Sequence, residues 1–208
     1  MDFRTWEPIY MRILADFGIS READEEAARI LSSLVDSPAH PAILRDILAG
    51  EDVSICGAAE TLEQEIASIA GVVVAADEAT SLLIRHDIRP DVIVTDLDGA
   101  VDDQIAASRQ GTVTAIHAHG DNIETLRRHV PRFPGPVVPT TQAAPFDEVY
   151  NFGGFTDGDR AYFLAKTCGA TSIKLLGYDF EHPARKPGKD TAVKQKKLRW
   201  ARHLIETY

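Results

Sequence analysis

Val92-Ile93-Val94-Thr95-Asp96-Leu97-Asp98-Gly99 is an apolar run that ends in two aspartates one residue apart. Its apolar half predicts a buried strand of a parallel sheet. A strand that ends in D-x-D-G throws two carboxylates onto the carboxyl edge of that sheet, where open α/β sheets bind ligands. Carboxylates this close repel each other unless a cation lies between them. Mg²⁺ suits the position, because it takes oxygen ligands and is commonly held by one or two carboxylates plus substrate phosphates. The stretch points to phosphate chemistry with magnesium.

Outward from this strand, short apolar runs alternate with segments of helical spacing. The predicted strands are Val53–Cys56, Val72–Ala75, Val92–Thr95, Thr112–His117, Val137–Pro139, Val149–Phe152 and Ile173–Leu176. Helices are predicted over 59–70, 78–87, 101–110, 122–130, 158–168 and 190–206. The alternation predicts an α/β domain over 51–208, a mainly parallel sheet with helices on both faces. Residues 1–50 read as a small N-terminal helical subdomain. Ile9, Ile13, Leu14 and Phe17 keep helical spacing up to Gly18. Ser20 caps a second helix with acids early (Glu22, Asp24, Glu25), and Pro41 opens a third that ends near Gly50. In the last helix Val193, Lys197, Trp200, Ala201, Leu204 and Tyr208 share a packing face. The stretch from His182 to Lys189 reads as a cationic loop suited to act as a lid.

Composition narrows the function. The 208 residues are 44% hydrophobic and 26% charged, which fits a globular chain. No apolar stretch approaches the ~20 residues needed to span a bilayer, and the amino terminus lacks a signal pattern. A cytoplasmic protein is expected, with no membrane partner. Cys56 and Cys168 read as buried small residues without metal-ligand spacing. A net charge of −10 argues against nucleic acid as a partner. From Arg185 to Arg202 there are eight Lys/Arg and one Asp, a net +7 that leaves −17 for the rest. Such a basic segment on an acidic body is either a solvated helix face or a place for an anionic ligand.

Polar groups recur just after the predicted strands. Gly57 follows the first and would allow a phosphate to approach the backbone. Asp77-Glu78 follow the second, and His117, His119, Asp121 and Asn122 the fourth. Gly153, Gly154, Asp157, Asp159 and Arg160 follow the sixth, and Asp179 the seventh. Any one of these acids is a plausible helix cap, but together they place a dense negative potential on one sheet edge. D-x-D-G after a strand also marks haloacid-dehalogenase-type phosphatases. Here two strands precede the motif, Ala100 follows Gly99, and the later paired acidic motif is absent.

Ala76-Asp77-Glu78-Ala79 and Pro90-Asp91 through Gly99 resemble the catalytic domain of thiamin pyrophosphokinases, with Glu78, Thr95 and Gly99 departing from that pattern. The chain is more similar to the archaeal 6-hydroxymethyl-7,8-dihydropterin pyrophosphokinase family. The motifs are V-T-D-L-D-G, H-A-H-G-D-N (His117 to Asn122), G-G-F-T-D-G-D-R-A (Gly153 to Ala161), L-G-Y-D-F (Leu176 to Phe180) and K-Q-K-K-L (Lys194 to Leu198).

That resemblance implies a thiamin-pyrophosphokinase-like fold and transfer of diphosphate from ATP to the pterin alcohol, releasing AMP, for methanopterin or folate biosynthesis. It implies Mg²⁺ on Asp77, Asp96, Asp98 and Asp121, with Asp77, Asp96 and Asp98 as the catalytic carboxylates. Gly57, Asp121, Asn122, Arg160, Lys186 and Lys189 would bind the nucleotide. Gly153, Gly154, Asp157, Asp159 and Asp179 would bind the pterin, a carboxylate matching its guanidine-like N–H pair. A homodimer is conceivable. The rivals are a thiamin pyrophosphokinase, a phosphatase and a non-catalytic nucleotide-binding module.

Overall fold

A computed structural model describes residues 1–182 and 190–208. Its centre is a six-stranded sheet of β1 (Asp52–Cys56), β2 (Val72–Ala76), β3 (Val92–Thr95), β4 (Val113–Ala118), β5 (Val137–Thr141) and β6 (Ser172–Leu176). All neighbours pair in parallel, in the order β5-β4-β3-β2-β1-β6. The chain adds β2 to β5 on one side of β1, then returns to place β6 on the other. This reversal is a topological switch point, where such sheets open a crevice at the carboxyl edge.

The pleat explains why the strands lack polar alternation. Val53, Ile55, Val74, Val92, Val94, Val113 and Ala115 enter one core, with Leu44 and Leu48 of α3 (Ala42–Leu48) and Leu164 of α8 (Asp157–Cys168). Cys56, Val73, Ala75 and Ile93 enter another, opposite core with Leu83 of α5 (Ala79–Arg85) and Ala107 of α6 (Val101–Arg109). Successive residues point to opposite faces, and both faces are covered by helices. Both cysteines are free and buried.

The first fifty residues form α1 (Phe3–Phe17), α2 (Arg21–Leu34) and α3. Asp2 caps α1, Gly18 closes it in the left-handed conformation, and the Ser20 hydroxyl caps α2 by accepting from Ala23 N–H. The buried faces of these helices join clusters that also hold α/β residues. Ala27, Ala28 and Leu31 pack with Leu97, Val101 and Ile116. Trp6, Tyr10 and Ile13 pack with Ala143, Phe155, Phe163 and Leu204, the last from α9 (Thr191–Thr207).

Two expected elements are corrected. Val149–Phe152 is not a strand but an irregular segment with isolated bridges. Tyr150 makes one exchange with β5, its N–H to Pro139 O and Thr141 N–H to its own carbonyl, both at 2.9 Å. The chain then turns into Gly153 and Gly154, whose φ of 85° and 93° end any extension. The helix over 59–70 shortens to α4 (Leu62–Glu65) and a 3₁₀ turn (Ile66–Ser68). Its first residues are held as a loop, with Ala59 N–H donating to Gly177 O at 3.0 Å. In α9, Ala201 and Leu204 are buried as expected, whereas Val193 and Tyr208 are exposed. The remaining helices include α7 (Ile123–His129). Among the described residues no helix is long and apolar enough to cross a membrane.

Candidate active site

The D-x-D-G turn begins where β3 ends. Thr95 Oγ1 accepts from Leu97 N–H at 2.9 Å and donates to Asp77 Oδ1 at 2.7 Å. Leu97 adopts φ 66°, and Asp77, just past β2, adopts φ 44°. Left-handed conformations at residues other than glycine cost about 1–3 kcal/mol each and gather at functional sites. Burying the Leu97 side chain helps hold the turn. Gly99 has a packing reason: a Cβ there would lie 2.4 Å from Asp77 Oδ2. The motif's glycine lets its backbone pass the Asp77 carboxylate.

Carboxylate oxygens of Asp77, Asp96 and Asp157 lie within 4.8 Å of one another. Asp77 comes from the end of β2, Asp96 from the end of β3, and Asp157 from the first turn of α8. Burial and the neighbouring Asp96 charge push the Asp77 carboxyl up to about 7. Burial and Asp96 push Asp157 well above its ordinary range. At Asp96 burial also acts upward, but a hydrogen bond from His119 and nearby positive charge, that of Arg160 and Lys197 included, outweigh it and hold the carboxyl low. Crowded carboxylates resist ionising together, and a divalent cation would relieve that repulsion. The all-oxygen donor set fits Mg²⁺.

Two cavities adjoin this group. The first, about 320 Å³, is lined by Asp96, His119, Asp121, Gln142, Phe155 and Arg160. The second, about 200 Å³, is lined by Gly57, Asp77, Glu78, Gly158, Tyr178 and Asp179. Asp98, Thr156, Asp157, Lys194 and Leu198 line both. The second lies at the β1/β6 switch and rests on glycines around Tyr178. A Cβ on Gly57 would sit 2.6 Å from Gly177 O, and one on Gly158 2.8 Å from Tyr178 Cε1.

The expected site residues separate under this geometry. Asp77 and Asp96 join the carboxylate group, and Asp157, expected against the pterin, is its third member. Asp98 and Asp121 are exposed cavity residues. Gly57 and Asp179 share the second cavity, although the resemblance assigns them to different substrates. Asn122 is buried and consumed by the fold, its Nδ2 donating to Asp96 O at 2.9 Å and His117 O at 2.8 Å. Its Oδ1 accepts from His119 N–H. Asp159, expected against the pterin, is fully buried and caps its own helix, accepting from Phe155 N–H at 2.6 Å and Thr156 N–H at 2.8 Å. Gly153 and Gly154 line neither cavity. A Cβ on Gly154 would meet Arg160 N at 2.6 Å, so this loop packs beneath the start of α8. Lys186 and Lys189 lie outside the described residues.

Other residues enter that the motifs leave without a role. His119 Nδ1 accepts from Asp121 N–H at 3.3 Å, which leaves the ring proton on Nε2, 3.4 Å from Asp96 Oδ2. His117 is buried, and desolvation with the Arg160 charge keeps it neutral. Gln142 follows β5 as the acids follow their strands, so the same strand-end rule would have found it. Lys194 and Lys197, three apart on α9, belong to the K-Q-K-K-L motif and reach the cavities.

Comparison with known proteins identifies a family. The family model described as "6-hydroxymethylpterin diphosphokinase MptE-like" matches residues 28–185. The chain is similar to the 6-hydroxymethyl-7,8-dihydropterin pyrophosphokinase of Methanothermobacter thermautotrophicus, 40% identical over 222 residues, covering 99% of this chain and 94% of that protein. It is similar to the protein of that name from Pyrococcus furiosus, at 41% over 219 residues with 99% and 94% covered. The Methanocaldococcus jannaschii counterpart is 34% identical over 228 residues, with 99% and 95% covered. With the family model matching residues 28–185 and similarity to these relatives covering 99% of the chain, the chain belongs to the 6-hydroxymethylpterin diphosphokinase MptE-like family.

Proposed function

We propose that this chain transfers diphosphate from ATP to 6-hydroxymethyl-7,8-dihydropterin with Mg²⁺, giving AMP and the pterin diphosphate. One observation carries the reading: of the three crowded carboxylates, Asp96 lines the first cavity, Asp77 the second and Asp157 both. A cation-hungry group on the wall between two cavities suits a reaction that joins two substrates through phosphate.

The larger cavity takes the nucleotide, where Arg160, Lys194 and Lys197 face the anionic chain. The smaller takes the pterin, whose flat ring suits Tyr178 and Phe180 and whose N–H edge suits Asp179. Asp77, Asp96 and Asp157 hold Mg²⁺, which when bound neutralises phosphate charge as it shifts during transfer. The pterin hydroxyl oxygen bonds to the β-phosphorus, the bond from that phosphorus to the α-bridging oxygen breaks, and AMP leaves with the electron pair. Asp98, common to both cavities, takes the hydroxyl proton. Catalysis rests mainly on positioning and charge neutralisation. The product carries a diphosphate leaving group on the pterin CH₂, which suits a following condensation in methanopterin- or folate-type synthesis.

The test is an acceptor assay with ATP and Mg²⁺, following AMP. The pterin alcohol should yield AMP and pterin diphosphate in equal amounts, and thiamin should not. Turnover of thiamin alone overturns the acceptor, and ATP binding without AMP from either alcohol overturns the transferase.

A further inference from the structure

We propose that Asp24, far from the reacting groups in sequence, fixes the amide orientation of Gln142 and so positions Arg160 in the first cavity. The inference rests on the reading of that cavity as the nucleotide end of the site.

Asp24 stands among first-turn acids of α2, yet its side chain is wholly buried. A buried carboxylate is costly unless donors surround it. Asp24 Oδ1 accepts from Gly120 N–H at 2.8 Å, and Oδ2 accepts from Tyr10 O–H and Gln142 Nε2, both at 2.7 Å. Gln142 is itself buried just past β5, its main-chain oxygen held by Trp6 Nε1 at 2.9 Å. With Nε2 taken by Asp24, its Oε1 meets Arg160 Nη2 at 3.3 Å.

The orientation is dictated from both sides. A carboxylate can only accept and a guanidinium can only donate. The amide must therefore give N–H to Asp24 and its oxygen to Arg160. Arg160 Nη1 in turn donates to Asp157 Oδ1 at 3.1 Å. Arg160 is nearly buried, and its Nε has no partner among the described residues. The guanidinium thus hangs on Gln142 and Asp157. Asp24, Gln142 and Arg160 form a line from the amino-terminal helices to the carboxylate group.

Asp24→Asn keeps the shape and reverses one end. With its oxygen on Gly120 N–H, the new amide turns its NH₂ toward Gln142. Gln142 must then turn over and present N–H to Arg160, donor against donor. Gln142→Glu alone sets a second carboxylate against Asp24. The double variant restores complementarity, since the carboxylate introduced at position 142 accepts both from the amide introduced at position 24 and from Arg160.

The test measures kcat/KM for ATP with saturating pterin alcohol, beside circular dichroism. Asp24→Asn and Gln142→Glu should each lose about 10–100-fold, as partners that orient a site do. The double variant should recover most of that loss. In crystals of Asp24→Asn, Arg160 should leave its place between residue 142 and Asp157. If Asp24→Asn fails to fold, Gln142→Met removes the acceptor and should show the same loss. A folded Asp24→Asn with wild-type kcat/KM, a double variant no better than the singles, or a wild-type rate in Gln142→Met overturns the proposal. A wild-type chain that makes no AMP from ATP and the pterin sinks the reading of the site instead. The position of Arg160 in the variant crystals then still decides the amide claim.

Discussion

Asp24 and Asp159 lie in the interior as deeply as Asp77, but their surroundings are opposite. Asp24 accepts from Tyr10, Gly120 and Gln142. Asp159 accepts from Phe155 N–H, Thr156 N–H and the Thr156 hydroxyl. Donors close around each of these charges. Asp77 has donors too, Thr95 and Gln104, but both address Oδ1, and the carboxylates of Asp96 and Asp157 crowd it. A buried acid ringed by donors holds a fold together. One ringed by acids is where we propose a cation. Burial alone does not separate the two, and the identity of the neighbours does.

Substituting Asn across the two groups should break this comparison if it is wrong. The largest effect is expected at Asp96→Asn, where turnover should fall on the order of a thousandfold while circular dichroism stays wild type. Near-full activity would remove Asp96 from the cation site. Next comes Asp159→Asn. Its NH₂ must face a donor inside the cap of α8, costing about 2 kcal/mol, which lowers the melting temperature by about 4–8 °C. An unchanged melting temperature would show that Asp159 is not a structural acid. The smallest effect has the opposite sign. Asp77→Asn keeps an acceptor for Thr95 and Gln104 and removes a buried charge beside Asp96. In metal-free protein at pH 8 it should raise the melting temperature by about 2–4 °C, on the order of 1 kcal/mol, while turnover drops. A lower melting temperature would mean that the fold itself compensates the Asp77 charge.

Much of the fold was legible because it rests on local chemistry. The apolar runs of β1 to β4 end within two residues of expectation, and Gly18 and Ser20 punctuate α1 and α2 as their residue types require. Asp96 was legible for the same reason, since a strand fixes where the next residue points. The distinction among aspartates was not, with one exception. Thr156-x-x-Asp159 has capping-box spacing, which separates Asp159 from Asp157 in the T-D-G-D stretch. Asp24 offers no such clue. Its neighbours Glu22 and Glu25 are equally acidic, and only its partners, 14, 96 and 118 residues away, identify it. The glycine floor of the second cavity was also hidden, because Gly57 and Gly177 meet only across the switch point.

Asp77, Asp96 and Asp157 are proposed as a divalent-cation site between two substrate cavities. The most direct measurement is anomalous diffraction from crystals grown with Mn²⁺ and a non-hydrolysable ATP analogue. A manganese peak bonded to oxygens of these three aspartates, with the triphosphate in the cavity of Arg160, is expected. A peak on the nucleotide alone, or on acids elsewhere in the chain, would contradict it.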